Sequence, residues 1–104
     1  MNKLANIKLP NELTKNGFYP SDKADDQIDK NKLLHIINFI ELNFYKSKYI
    51  SKKQTSYALK HFVERNINTY VLNGELIASM IICGYKYKRV KNNCFFNVKQ
   101  RCIY

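Results

Sequence analysis

The pattern of apolar residues changes its period at Gly84, and this change limits the folds that the chain can adopt. Before Gly84, three segments repeat apolar residues every three or four positions, which is typical of amphipathic helices. After it, apolar and polar residues alternate over residues 85–90 and 94–101, as they do in β-strands. Turn-forming residues at 91–93 separate the two alternating runs, so the sequence predicts a β-hairpin.

Three helices are predicted before this point, at residues 26–45, 51–66 and 73–83. Each segment carries apolar side chains at helical spacing. The second segment begins with a capping-box pattern, in which the side chains of Ser51 and Gln54 each satisfy a backbone N–H of the first turn. This pattern predicts that the second helix starts at Ser51.

The third helix has clear boundaries and an unusual composition. Asn73 is a good N-cap, and Gly84 suits the left-handed conformation that ends many helices. The residues between them are apolar on nearly every side. Such a helix is either buried on several sides or partly buried and in contact with another protein.

This order of elements predicts one α+β domain over residues 26–104, with a three-helix, helix-turn-helix-like core and a C-terminal β-hairpin. Residues 1–25 are predicted to form a polar N-terminal arm, because two prolines interrupt a run rich in Asn, Lys and Asp. A chain of 104 residues with 45% apolar residues can bury one hydrophobic core. The predicted core residues are Ile37, Ile40, Phe62, Ile77 and Ile81.

The net charge of +10 lies entirely in the second part of the chain. Residues 1–45 hold six basic and six acidic residues, whereas residues 46–104 hold twelve basic residues and only Glu64 and Glu75 as acids. A one-sided positive field attracts polyanions, of which nucleic acid is the commonest. The sequence therefore predicts a nucleic-acid partner.

Two groups of residues are predicted to make this contact, with cations binding phosphates and aromatic rings stacking on bases. The hairpin group consists of Tyr85, Lys86, Tyr87, Lys88, Arg89, Lys91, Phe95, Lys99 and Arg101. The helical group consists of Lys52, Lys53 and Lys60, of which the first two are predicted at a helix N-terminus, where free N–H groups also attract anions. The third helix offers few side chains that read base edges, so little base specificity is expected.

Four runs, Ser56–His61, Tyr70–Ile77, Gly84–Arg89 and Phe95–Val98, resemble segments of short proteins from phages and other mobile elements. The order of three helices and a basic hairpin also resembles a winged-helix domain. That resemblance implies DNA binding, with the second and third helices as the helix-turn-helix and the hairpin as the wing. The resemblance of the four runs implies that the protein is an accessory factor of a phage or mobile element.

Enzymatic and metal-binding patterns are absent from the sequence. It has no Gly-rich phosphate loop, H-E-x-x-H or G-x-S-x-G motif, so neither an enzyme activity nor a cofactor is predicted. His61 and Glu64 are three residues apart on one helix and are interpreted as a surface hydrogen bond. Cys83, Cys94 and Cys102 together with His61 have the composition of a zinc site, but no C-x-x-C pair occurs, so free thiols are predicted.

The prediction is thus a small basic protein that binds nucleic acid, DNA rather than RNA, as a monomer or a homodimer. No apolar run reaches the length of a membrane span or a signal peptide, so no membrane partner and a cytoplasmic location are predicted. A second interpretation stays open. In it, the basic hairpin and the apolar third helix dock on a host or partner protein and modulate a nucleic-acid enzyme.

Overall fold

The computed structural model describes residues 9–10, 12–18 and 28–100. Three α-helices and two antiparallel sheets are found in this part of the chain. The elements in chain order are β1 (Leu13–Thr14), β2 (Gly17–Phe18), α1 (Leu33–Asn43), β3 (Phe44–Ser51), α2 (Ser56–Ile67), α3 (Asn73–Ile82), β4 (Tyr87–Val90) and β5 (Asn93–Gln100). A 3₁₀ turn at Lys30–Lys32 leads into α1.

The three predicted helices are confirmed in number, but α1 starts at Leu33 instead of residue 26, and the start of α2 also differs from the prediction. α1 buries its apolar stripe and ends at Asn43, because the backbone of Phe44 is already extended and begins β3. α2 starts at Ser56, and the cap is Thr55, whose hydroxyl accepts a hydrogen bond from the Ala58 N–H at 3.4 Å. Ser51 is the last residue of β3 and accepts from the Lys53 N–H at 3.3 Å, so the predicted capping box at Ser51 is wrong.

α3 is the central helix of the fold. Its N-cap position is Leu72 rather than Asn73, and the Glu75 carboxylate accepts from the Leu72 N–H at 3.0 Å. At its C-terminus Gly84 has φ +90°, and its N–H donates to the Ile81 carbonyl at 2.9 Å, as the predicted glycine stop requires. α3 contacts both other helices and strands of both sheets, which explains why it is apolar on nearly every side.

The larger sheet has the strand order β3-β5-β4, with β5 in the centre. β4 and β5 form the predicted hairpin, and Lys91 in its turn has φ +56°. β3 pairs with the other edge of β5, with an irregular stretch between Lys46 and Ser51. The predicted hairpin is therefore part of a three-stranded sheet.

This architecture contradicts the winged-helix prediction. Two short strands precede the helices, β3 lies between α1 and α2, and β5 is an inner strand rather than half of a projecting wing. The protein is a small α+β domain with strands on both sides of the helices in the sequence. β3 escaped prediction because half of its eight residues, from Phe44 to Ser51, are lysine or serine, and strand stability depends on the pairing partner more than on local composition.

Residues 12–18 form a short hairpin, β1–β2, that packs on α3 and on the turn of the larger sheet. Leu13 and Phe18 are buried in the core. The N–H of Gly74 donates to the Lys15 carbonyl at 2.9 Å, and a Cβ atom at residue 74 would lie 1.8 Å from the Thr14 carbonyl oxygen. Glycine is thus required where α3 meets this hairpin. The remainder of the predicted arm, apart from residues 9 and 10, lies outside the described residues.

The hydrophobic core lies between the helices and the inner face of the larger sheet. Of the predicted core, Ile37, Ile40 and Ile77 are buried, whereas Phe62 and Ile81 are partly buried against the core. Phe62 packs in a cluster of three rings with Phe39 and Phe44, at centroid distances of 5.9–6.0 Å. The largest fully buried side chain in the described part of the chain is Phe96 of β5.

Candidate nucleic-acid interface

The larger sheet has two chemically different faces. Cross-strand partners share a face and successive residues alternate between faces. Cys94 and Phe96 are fully buried on the face that meets the helices. Phe95 lies opposite Lys88, and Lys99 lies opposite Tyr45, both on the other side. We call this second side the outer face; its residues are Tyr45, Lys86, Lys88, Phe95, Asn97 and Lys99.

The outer face combines positive charge with aromatic surface. Its three lysines are exposed to solvent, and none of its residues is acidic. Phe95 on the same face is half-buried, and Tyr45 is 42% exposed. Lysines at such positions bind phosphates, and an accessible ring offers a surface on which a base can stack. The structure thus brings part of the predicted hairpin group together on one side of the sheet.

Asn97 is a residue of the outer face that the sequence did not single out. Its side-chain oxygen accepts from the Lys86 N–H at 2.7 Å, and its side-chain nitrogen donates to the Ser47 carbonyl at 2.9 Å. It therefore joins the central strand to the chain on both sides and is buried. The amide is occupied by these bonds, so Asn97 positions the strands and does not read bases.

A groove at the Tyr45 end of the larger sheet contains cations from both predicted groups. It has a volume of about 430 Å³ and is lined by Tyr45, Ser51, Lys53, Gln54, Val98, Lys99 and Gln100. Lys99 comes from the hairpin group and Lys53 from the helical group. Lys52 and Lys53 are exposed as predicted, but they precede the start of α2 at Ser56 and do not stand at a helix N-terminus.

Arg89 and Tyr87 belong to the predicted hairpin group, but they contact the N-terminal hairpin β1–β2 and do not lie on the outer face. Arg89 lies opposite Cys94, on the inner side, and forms an ion pair with Glu12. Its guanidinium carbon lies 4.2 Å from the centre of the Phe18 ring, and Tyr87 stacks on the same ring at 6.2 Å. These contacts hold residues 12–18 against β4.

Lys60 and Tyr85 also belong to the predicted groups, but both are buried in the fold. Lys60 is only 6% exposed, forms an ion pair with Glu64 at 3.1 Å, and lies 5.2 Å from the ring centres of both Tyr57 and Tyr70. Tyr85 is buried. Lys91 is exposed in the hairpin turn, and Arg101 lies outside the described residues.

Glu64 is the centre of a small polar cluster on α2. Burial raises the pKa of its carboxyl, but hydrogen bonds from the Val71 N–H at 3.1 Å and from Lys60 outweigh this effect, and the pKa is lowered. His61 lies 3.3 Å from the same carboxylate, which is the surface contact expected from their spacing. The cluster ties α2 to the loop before α3, so it is a structural feature.

Two of the three cysteines lie in the part of the chain that the structure describes. Cys83 and Cys94 form no disulfide bond among the described residues, and Cys102 lies outside them. Burial raises the pKa of the Cys94 thiol to about 12, against a smaller opposing effect of Arg89. Among the described residues no three His, Cys, Asp or Glu side chains are grouped to hold a metal ion.

Comparison with protein families, curated proteins and solved structures finds no match for this chain. Within residues 28–100, where the helices of the described chain lie, none is long and apolar enough to cross a membrane. The outer face of the larger sheet is therefore the feature from which a function is inferred.

Proposed function

We propose that this protein binds nucleic acid with little base specificity and that the outer face of the larger sheet is its contact surface. The observation that carries the proposal is the placement of Lys86, Lys88 and Lys99 on the same solvent-facing side of the sheet as Phe95, with no acidic residue among the described residues of that face. Cations arranged in this way neutralise phosphates and release counterions from the nucleic acid.

Low base specificity follows from the chemistry of the surface. Lysine contacts the phosphate backbone as a point charge, and such contacts carry no sequence information. The amide of Asn97 is used within the sheet. α3 is buried along nearly its whole length, so its side chains are not available to a DNA groove.

The role as an accessory factor of a phage or mobile element rests on the sequence resemblance of residues 51–98, and the preference for DNA over RNA rests on the sequence prediction alone. They remain part of the proposal on that basis. A docking role on a partner protein has less support, because the apolar α3 that would provide the contact is buried in the core.

Two neighbouring residues on β4 provide the test. Lys88→Ala and Arg89→Ala each remove one positive charge, but Lys88 lies on the outer face and Arg89 contacts Glu12 and Phe18. Fluorescence anisotropy with labelled oligonucleotides at several salt concentrations measures both affinity and its salt dependence.

Lys88→Ala is expected to weaken binding for unrelated sequences alike and to flatten the log–log salt dependence by roughly one unit. Arg89→Ala is expected to have a smaller effect on both. An absence of binding by the wild-type protein at low salt, where a protein of net charge +10 binds most readily, would rule out the proposal.

A further inference from the structure

We infer that the outer face accepts single-stranded nucleic acid in preference to a duplex; this inference rests on the proposed function and specifies its ligand. The outer face carries a repeated unit. Lys88 lies opposite Phe95, and Lys99 lies opposite Tyr45, so each pair sets one ammonium group beside one aromatic ring. We call these the two aromatic–lysine pairs.

The spacing within a pair fits one nucleotide. Paired strands lie about 4.8 Å apart, so the lysine and the ring of a pair stand side by side on the same face. A base that stacks on the ring leaves its own phosphate close to the lysine. Each pair can therefore bind both parts of a single nucleotide.

The spacing between the pairs fits an extended strand. Phe95 and Lys99 are four residues apart on β5, which at the rise of a β-strand separates the two pairs by about 13 Å. An extended single strand placed along β5 passes both pairs. At the Tyr45 end it reaches the groove that contains Lys53 and Gln54. A footprint of several nucleotides, within the range of about 4–16 known for single-strand sites, follows from this path.

The aromatic rings decide between single strand and duplex. In a duplex each base is covered by its neighbours above and below, so a ring on a sheet surface finds no free base to stack on. A duplex would contact the lysines alone. In a single strand every base has an accessible face, and stacking on aromatic side chains is tolerant of sequence. The combination of ring and cation in both pairs therefore favours a single strand.

The experiment compares a single strand of about 12 nucleotides with a duplex of the same length, by fluorescence anisotropy at equal salt. The variants are Phe95→Leu, which keeps an apolar side chain and removes the ring, and Phe95→Trp, which keeps a ring. Tyr70→Leu is the matched control, because Tyr70 is 73% exposed, lies in the loop before α3 and contacts Lys60 of α2. Thermal unfolding by circular dichroism verifies that each variant folds.

Wild-type protein is expected to bind the single strand more tightly. Phe95→Leu is expected to weaken single-strand binding by about 5- to 150-fold and to change duplex binding by less than about twofold. Phe95→Trp is expected to retain the preference, and Tyr70→Leu to change neither affinity.

Two results would overturn the inference and leave the proposed function intact: equal wild-type affinity for both ligands, or an equal loss for both in Phe95→Leu. Failure of the wild-type protein to bind either ligand at low salt would remove the proposed function as well. An acidic protein would then become the expected occupant of the outer face.

Discussion

Arg89 and Phe18 are far apart in the sequence, but the guanidinium carbon of Arg89 lies 4.2 Å from the centre of the Phe18 ring. The same guanidinium forms an ion pair with Glu12, and Tyr87 stacks on Phe18. One of the positive charges of the hairpin is therefore directed to the N-terminal segment.

The first prediction is that Arg89→Ala loosens residues 12–18. The variant loses a cation–π contact and an exposed ion pair, which together contribute about 1–2 kcal/mol. Trypsin cleavage after Lys15, followed by mass spectrometry of that one peptide bond, is expected to be faster than in the wild type. Lys88→Ala is the control, since it removes the same charge on the opposite face. Equal cleavage rates in the two variants would show that Arg89 does not hold the segment.

The second prediction concerns Gly74 in α3. Helix propensity alone predicts that Gly74→Ala stabilises the protein by about 1 kcal/mol. The structure predicts the opposite, because the new Cβ would lie 1.8 Å from the Thr14 carbonyl oxygen and would displace the hairpin that buries Leu13 and Phe18. The expected loss in the free energy of unfolding is about 2 kcal/mol, measured by urea denaturation.

A control for this effect is Asn38→Ala, at an exposed position of α1 where helix propensity is the main contribution. That variant is expected to gain a few tenths of a kcal/mol. A stabilised Gly74→Ala protein would mean that the hairpin adapts to a side chain at this position.

The third prediction is a pH dependence of stability due to Glu64. Burial raises the pKa of this carboxyl, but hydrogen bonds from Val71 and Lys60 lower it below the ordinary value of 4.5 in the folded protein. The carboxylate therefore stabilises the fold above pH 4.5, and this contribution is lost as the pH falls through the lowered pKa. Glu64→Gln is expected to be less stable than the wild type at pH 7, and the difference is expected to shrink by pH 3.

Chemical denaturation at pH 7, 5, 4 and 3 measures this change. Asp29→Asn is the matched control, because it also removes one carboxylate, at an exposed position of the 3₁₀ turn region. A stability difference for Glu64→Gln that is constant from pH 7 to pH 3 would contradict the assignment.

The fourth prediction separates two of the thiols. Cys94 is fully buried and burial raises its pKa to about 12, whereas Cys83 is half-buried. Because the thiolate is the reactive form, iodoacetamide at pH 8 is expected to modify Cys83 before Cys94 in the native protein. In denaturant both are expected to react at similar rates. Peptide mass spectrometry distinguishes the sites, and rapid native labelling of Cys94 would indicate that β5 opens easily.

The sequence was most informative where structure is decided by neighbouring residues. The alternating run after Gly84 predicted β4 and β5, and it correctly placed Phe95 on the polar side of β5. It did not reveal which residue of β4 shares that side. This depends on the register between the strands, which sets Lys88 opposite Phe95 and Arg89 opposite Cys94. The sequence therefore did not show that Lys88 lies on the outer face and that Arg89 lies on the inner side.

The parts that escaped prediction depend on residues distant in the chain. β3 forms because Tyr45 and Lys46 pair with residues of β5, whereas half of its own residues are lysine or serine. The docking of residues 12–18 depends on the space left by the missing side chain of Gly74. Lys60 is a charged residue on a helix, a type that is normally exposed, but the rings of Tyr57 and Tyr70 and the carboxylate of Glu64 enclose it.

The central position of β5 also determines at which stage of folding the outer face can form. The β4–β5 hairpin joins neighbouring segments, so the pair of Lys88 and Phe95 can form early and locally. The pair of Tyr45 and Lys99 requires β3 to meet β5 after α2 and α3 have folded between them, which is a slower, long-range step. During synthesis from the N-terminus, β5 leaves the ribosome after every other described element. A nascent chain therefore cannot engage a polyanion through both pairs until β5 has been synthesised.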